Sequence, residues 1–125
     1  MIWIAVGMGG ALGSMLRHGV NVGTARWIGA PGPWGTFTVN MVGSLTIGVL
    51  AGLLTAGRIE MTPTMRTFVF VGIIGGFTTF SSYMLDALTL AQSGNQLWAV
   101  LNVVGQVALG YALVFTGYRV ALLTG

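Results

Sequence analysis

The 125-residue sequence has no cysteine and no lysine, and its only acidic residues are Glu60 and Asp86. Without cysteine there is no disulfide framework, no thiol nucleophile and no thiolate metal or cluster site. Acid–base or metal chemistry needs convergent ionisable groups, and two carboxylates plus one histidine, His18, do not supply them. The chain reads as something other than an enzyme, with no catalytic residues to nominate. Its five positive charges are all arginines, too few and too scattered for the basic stripe that holds nucleic acid, so no nucleic-acid partner is expected. The formal charge of +3 concerns membrane placement instead.

What fills the sequence is apolar: 54% of residues are hydrophobic and 6% charged, with a mean hydropathy of +0.86. An ordinary soluble domain carries about 25% charged residues, so the fold class is an all-α membrane protein. At about 20 apolar residues per crossing, the length allows four helices and predicts a single four-helix transmembrane domain over residues 1–125. Four stretches stand out, Ile2 to Val22, Trp34 to Ala56, Thr67 to Leu90 and Leu97 to Leu123. The separators "RWIGAPGP", "GRIEMTPTMR" and "AQSGNQ" carry the punctuation that turns require. The first stretch lacks the basic flank of a signal peptide and is expected to be a retained helix. Trp27, Trp34 and Trp98 then fall near one face and Trp3 and Tyr118 near the other, as headgroup-level aromatics do. Arg58, Arg66 and Arg119 on one side oppose Arg26 and Arg17 on the other, a bias too weak to fix orientation.

Glycines recur four residues apart, as Gly9 and Gly13, Gly48 and Gly52, and Gly72 and Gly76, a spacing that stacks small residues on one face and lets helices approach in lipid. Polar groups enter the spans at defined points. On the second stretch Thr36, Asn40 and Gly43 or Ser44 share a face; Asn40 either bonds a neighbouring helix or faces a wet pathway. In the third, "GIIGGFTTFSSY" sets Gly75 and Gly76 before Thr78, Thr79, Ser81 and Ser82. A break there frees carbonyls and amides that must be buried, hydrated or bound to an ion; the alternative is a packing kink. Past it, Thr79, Ser82 and Asp86 lie on one helical face, with Phe80 and Tyr83 on a neighbouring one. Those rings either pack or present their positive edges to an anion. Asn102 and Gln106 form a further polar pair one turn apart, and Arg17 can snorkel to the interface. Together these features predict a narrow, uncharged, hydrogen-bond-donating pathway suited to a small anion.

Three motifs, "GGALGSMLRH", "WGTFTVNMVGSLTIG" and "GIIGGFTTFSSY", resemble in order and spacing those of the Fluc (CrcB) family of small fluoride channels, over nearly the whole chain. The resemblance implies a dual-topology homodimer whose antiparallel subunits form two pores in the bacterial plasma (inner) membrane. Through these pores fluoride leaves the cytoplasm passively. It implies a structural Na+ at the dimer centre, held by backbone carbonyls of Gly75 and Thr78, a pore asparagine at Asn40 and pore rings at Phe80 and Tyr83. Thr79 and Ser82 are expected to add hydroxyls along the same route. Tyr83 departs from the family pattern, which has phenylalanine there; its hydroxyl can bond fluoride, fill the pore or bond elsewhere and turn the ring. The family arginine of the first helix maps to Arg17. The rival reading is a small multidrug-type cation/proton exporter, which usually needs a membrane carboxylate early in the chain; none is present in the first helix.

Overall fold

A computed structural model describes residues 1–29 and 32–124, and every regular element among them is helical. The elements are α1 (Ile2–Ile28), α2 (Trp34–Thr55), a compound third helix, and α6 (Gln96–Leu123). The third helix consists of α3 (Pro63–Arg66), a π-wound segment (Thr67–Ile74), α4 (Gly75–Phe77) and, past a break, α5 (Ser81–Gln92). Three helices are long and apolar enough to cross a membrane: Trp34–Thr55, the bent Pro63–Gln92 and Gln96–Leu123. At 1.5 Å per residue, α2 extends about 33 Å and α6 about 42 Å, against a hydrocarbon core of about 30 Å. α1 is 27 residues long but carries Arg17 and His18 past its middle, and it is not among those three.

Helix ends follow local chemistry. α1 runs six residues past the expected Val22, because the first residue to leave helical conformation is Gly29, at φ 87°, whose N–H caps the Ala25 carbonyl at 2.9 Å. Ala30 and Pro31 of the first separator lie outside the described residues. The third helix starts at Pro63, ahead of the expected Thr67, because the Thr62 hydroxyl accepts the Met65 N–H at 3.2 Å and proline occupies the first position.

Packing inverts the soluble pattern. Val39 is the one large side chain buried completely, while most of the other buried positions are glycine or alanine, and Trp3, Leu97, Val107 and Tyr111 point outward. Without a hydrophobic force between helices in lipid, close backbone approach supplies the contact energy. The glycine pairs form two seams. On the first, a Cβ at Gly9 would stand 2.9 Å from the Gly72 Cα and one at Gly76 would stand 2.7 Å from the Gly10 carbonyl oxygen. Contacts advance together along both chains, so α1 and the third helix run parallel. On the second, Asn40 meets Gln106, Gly48 meets Val114 and Gly52 meets Tyr118, all at an offset of 66 residues. α2 and α6 are therefore parallel as well, and the break in the third helix lies against both seams.

Candidate functional site: an amide cluster at the helix break

Thr78 leaves the helix with φ −86° and ψ 162°, and α5 resumes at Ser81. The Thr78 N–H and hydroxyl both donate to the Ile74 carbonyl at 3.0 Å, which closes the upstream end. Downstream, the Met84 N–H donates to the Phe80 carbonyl at 2.9 Å and the Ser82 N–H to the Thr79 hydroxyl oxygen at 3.3 Å. Thr79 between them is held from α2: its N–H donates to Asn40 Oδ1 at 2.9 Å, and its carbonyl accepts from Asn40 Nδ2 at 3.0 Å. One amide side chain thus stands in for the missing helical bonds, as backbone groups within a bilayer require. Among the described residues, no backbone N–H of the following turn reaches the carbonyls of Gly75 to Thr78.

The cluster continues into α6. Asn40 Nδ2 also donates to Gln106 Oε1 at 2.8 Å, and Gln106 Nε2 donates to Asn102 Oδ1 at 2.9 Å, so four residues from three helices form one chain of amides. The sequence marks Asn40 and Gln106 separately as polar intrusions, but their partnership depends on α2 and α6 being parallel neighbours. The one available signal was that each is an amide well inside an apolar span, and such groups find partners.

A cavity of about 460 Å³ opens beside this chain, lined by Asn40, Ser44, Gly75, Thr78, Thr79, Phe80, Tyr83 and Gln106 among others, with no charged residue in its wall. Six of the expected site residues therefore meet here. Phe80 and Tyr83 pack edge to face, with centroids 5.7 Å apart and ring planes at 73°. Phe80 is 73% exposed and Tyr83 only 4%. The Tyr83 hydroxyl donates to the Val103 carbonyl of α6, so of the three roles open to it the hydroxyl takes the bond elsewhere.

Ser82 is not in that cavity. It lines another, of about 480 Å³, with Asn21, Thr24, Thr36 and Asp86. The spacing that unites Thr79, Ser82 and Asp86 holds only in a continuous helix, and α5 begins after Thr79. An apolar cavity of about 510 Å³ lies between the ends of α2 and α6 under Trp34 and Trp98; Gln106 lines both this and the 460 Å³ cavity. Arg17 is partly buried and lines none of the three.

Residues 4–118 match the family described as CrcB-like protein, Camphor Resistance (CrcB). The chain is 42% identical over 117 residues to the fluoride-specific ion channel FluC of Allorhizobium ampelinum, covering 94% of this chain and 93% of that protein. To the fluoride-specific ion channel FluC of Rhodospirillum rubrum it is 44% identical over 124 residues, 98% of this chain and 96% of that one. The fluoride-specific ion channel FluC of Nitrobacter winogradskyi is 41% identical over 117 residues, 94% and 92% of the two chains. These relatives are channels and not enzymes. With its three apolar helices, the chain is a multi-pass protein of the bacterial plasma membrane. The match spans the first helix, the α2 amide and the broken third helix, and by it the chain belongs to the CrcB family.

Proposed function

We propose that this chain is a fluoride-selective ion channel that lets cytoplasmic fluoride leave passively and so lowers its toxicity. The observation that carries the reading is the uncharged cavity at the helix break, where amide and hydroxyl groups meet aromatic rings, in a chain over 40% identical to fluoride-specific ion channels. Fluoride is small and strongly hydrated, so a selective pore has to replace lost water with donors while holding the ion weakly enough to release it. Asn40, Thr79 and the edges of Phe80 and Tyr83 are the donors of that route, and Ser82 adds a hydroxyl from the separate cavity that it lines. No carboxylate lines the main cavity, which favours passive flow over proton exchange.

The working assembly is an antiparallel, dual-topology homodimer of four-crossing subunits with two pores. Close parallel packing of α1 on the third helix supports a fourth crossing, since the two seams then span the same slab. The exposure of Phe80 and of Gly75 at the break supports a second subunit, because a ring and a backbone poised at the pore are then completed from the other side. A structural Na+ fits this arrangement: a Cβ at Gly75 would meet nothing nearer than the Phe70 carbonyl oxygen at 3.6 Å, and the Gly75 and Thr78 carbonyls accept no bond from the following turn. Those two carbonyls would hold the cation together with the second subunit's pair. The ion would supply the charge that ties two freed backbones together.

The test is anion efflux from liposomes containing the purified protein, followed with a fluoride electrode and with chloride in parallel. Fast fluoride release with negligible chloride is the expected result. Chloride release as fast as fluoride release defeats the reading.

A further inference from the structure

We propose that the cleft between the end of α2 and the start of the third helix holds one anionic phospholipid, with its phosphate on Arg66 and Thr55 and an acyl chain on Ala51, Leu54 and Phe70. The inference concerns the membrane face of the protein and stands independently of the channel reading above.

The two glycine seams leave a gap between them. α1 closes on the third helix where Gly9 meets Gly72, and α2 closes on α6 where Gly52 meets Tyr118. At this level α2 and the third helix belong to different seams, and a cavity of about 400 Å³ lies between them, lined by Ala51, Leu54, Thr55, Arg66 and Phe70. Its walls are graded. Thr55 closes the α2 span and Arg66 directly precedes the apolar run from Thr67, so both stand at the membrane face. Ala51 lies one turn before Thr55 and Phe70 one turn after Arg66. Because α2 runs toward this face and the third helix away from it, both are about 6 Å deeper. The mouth is cationic and hydroxylic and the floor is apolar, which is the order of phosphate and chain in a phospholipid. A free phosphate would leave the floor uncovered.

The donors at the mouth are unspent. Thr38 and Thr46 of the same helix return their hydroxyls to the carbonyls one turn earlier at 2.7 Å, whereas among the described residues the Thr55 hydroxyl makes no such bond. Arg58 gives a guanidinium N–H to the Thr124 carbonyl, and Arg66, exposed, is the guanidinium in the cavity wall. The α2 carbonyls that would oppose an anion here are closed by the following turn: Leu53 accepts the Arg58 N–H at 3.0 Å and Leu54 the Gly57 N–H at 3.1 Å, with Gly57 at φ 71°. A planar guanidinium reads a phosphate through two parallel bonds. Arg58, Arg66 and Arg119 share this end with one acid, Glu60, an excess that favours an anionic over a zwitterionic headgroup.

Native mass spectrometry of the full-length protein, titrated in detergent with phosphatidylglycerol or with phosphatidylcholine of the same chains, tests this directly. The unsubstituted protein should take up one phosphatidylglycerol per subunit with an affinity about tenfold or more above that for phosphatidylcholine. Arg66→Gln should weaken phosphatidylglycerol by about tenfold or more, as loss of charge-assisted bonds does. Arg119→Gln, at the same end but outside the cavity wall, should weaken it by about threefold or less. Equal affinity of the unsubstituted protein for the two lipids overturns the proposal without recourse to any variant. Equal losses in Arg66→Gln and Arg119→Gln overturn it too, because the whole face and not a site would then attract the lipid. Displacement of the lipid by millimolar inorganic phosphate would make the occupant a free anion, and the absence of any adduct would mean that a second subunit fills the cleft; either result also overturns it.

Discussion

Asn40→Asp changes one NH₂ group to an oxygen and almost no volume, so it separates the chemistry of this amide from its packing. Asn40 Oδ1 can still accept the Thr79 N–H, but the new oxygen faces the Thr79 carbonyl and Gln106 Oε1, at distances that are 3.0 and 2.8 Å in the parent. Two hydrogen bonds are lost, each worth about 1 kcal/mol net. That loss of about 2 kcal/mol weakens the clamp on the break without removing it. The larger effect is on the ion. A carboxylate about 4 Å from a passing anion opposes it by about 4 kcal/mol at an effective dielectric constant near 20. With about 1.36 kcal/mol per factor of ten, fluoride flux should drop by about a thousandfold.

The assay is the initial rate of fluoride release from liposomes, with helix content and thermal unfolding in detergent measured on the same preparation. A variant that keeps its helix content, melts only slightly lower and releases fluoride within about tenfold of the parent refutes the reasoning. Asn40 would then be scaffolding for the break, and the anion would travel elsewhere. A variant that retains its fold and loses flux by the expected factor puts the amide on the route.

Gly72→Ala sets a methyl 2.8 Å from the Gly9 Cα and 3.2 Å from the Gly10 nitrogen, all backbone, so the first seam must open and stability in detergent should fall by about 1–3 kcal/mol. Gly19→Ala, in the same first helix with nothing within 4 Å, should instead be neutral or stabilising by up to about 1 kcal/mol; equal losses at the two positions would refute the seam argument. Tyr83→Phe removes the hydroxyl bonded to the Val103 carbonyl and restores the ring of the family pattern. It should cost about 1 kcal/mol in thermal unfolding while fluoride flux stays within about twofold. A large loss of flux would mean that the hydroxyl serves the ion.

The class of fold was legible because composition alone forces it: a chain with 6% charged residues has few other solutions. The ends of α2 and α6 were legible within one residue, since Trp34 opens an apolar run directly after Pro33 and Val120 to Leu123 close the last one before Thr124. Glycine spacing foretold which faces meet, because only residues without side chains allow backbones this close. What the sequence hides depends on tertiary placement. Ser82 shares helical spacing with Thr79 on paper, yet the break that makes Thr79 interesting also removes it from α5 and leaves Ser82 facing another cavity. α1 continues past the expected Val22 because Gly23 and Thr24 keep helical conformation, with the Thr24 hydroxyl bonded back to the Val20 carbonyl at 3.0 Å. Likewise the Asn40 to Gln106 bond joins residues 66 apart, and nothing local to either specifies it.

That bond ties the site to the seam below it. Asn40 and Gln106 face each other at the same offset of 66 residues as Gly48 with Val114 and Gly52 with Tyr118. A 2.8 Å contact between two amides therefore depends on how closely α2 and α6 run two turns away. A Cβ at Gly48 would stand 2.9 Å from the Val114 Cα, where carbon atoms prefer about 3.5–4.0 Å. Gly48→Ala should therefore part the helices by roughly 0.6–1.1 Å at that level. Carried along two stiff helices for about 12 Å, half of that separation lengthens the 2.8 Å amide bond to about 3.1–3.35 Å, at the outer limit where an N–H donor holds its acceptor. Gly48→Ala lies outside the central cavity and alters no group facing it. It should nevertheless loosen the Asn40 to Gln106 bond, with faster hydrogen exchange of the Asn40 side-chain amide, the donor of that bond, and altered fluoride flux. Unchanged exchange at the Asn40 side-chain amide would show that the amides set their own distance and that the glycine seam serves stability alone.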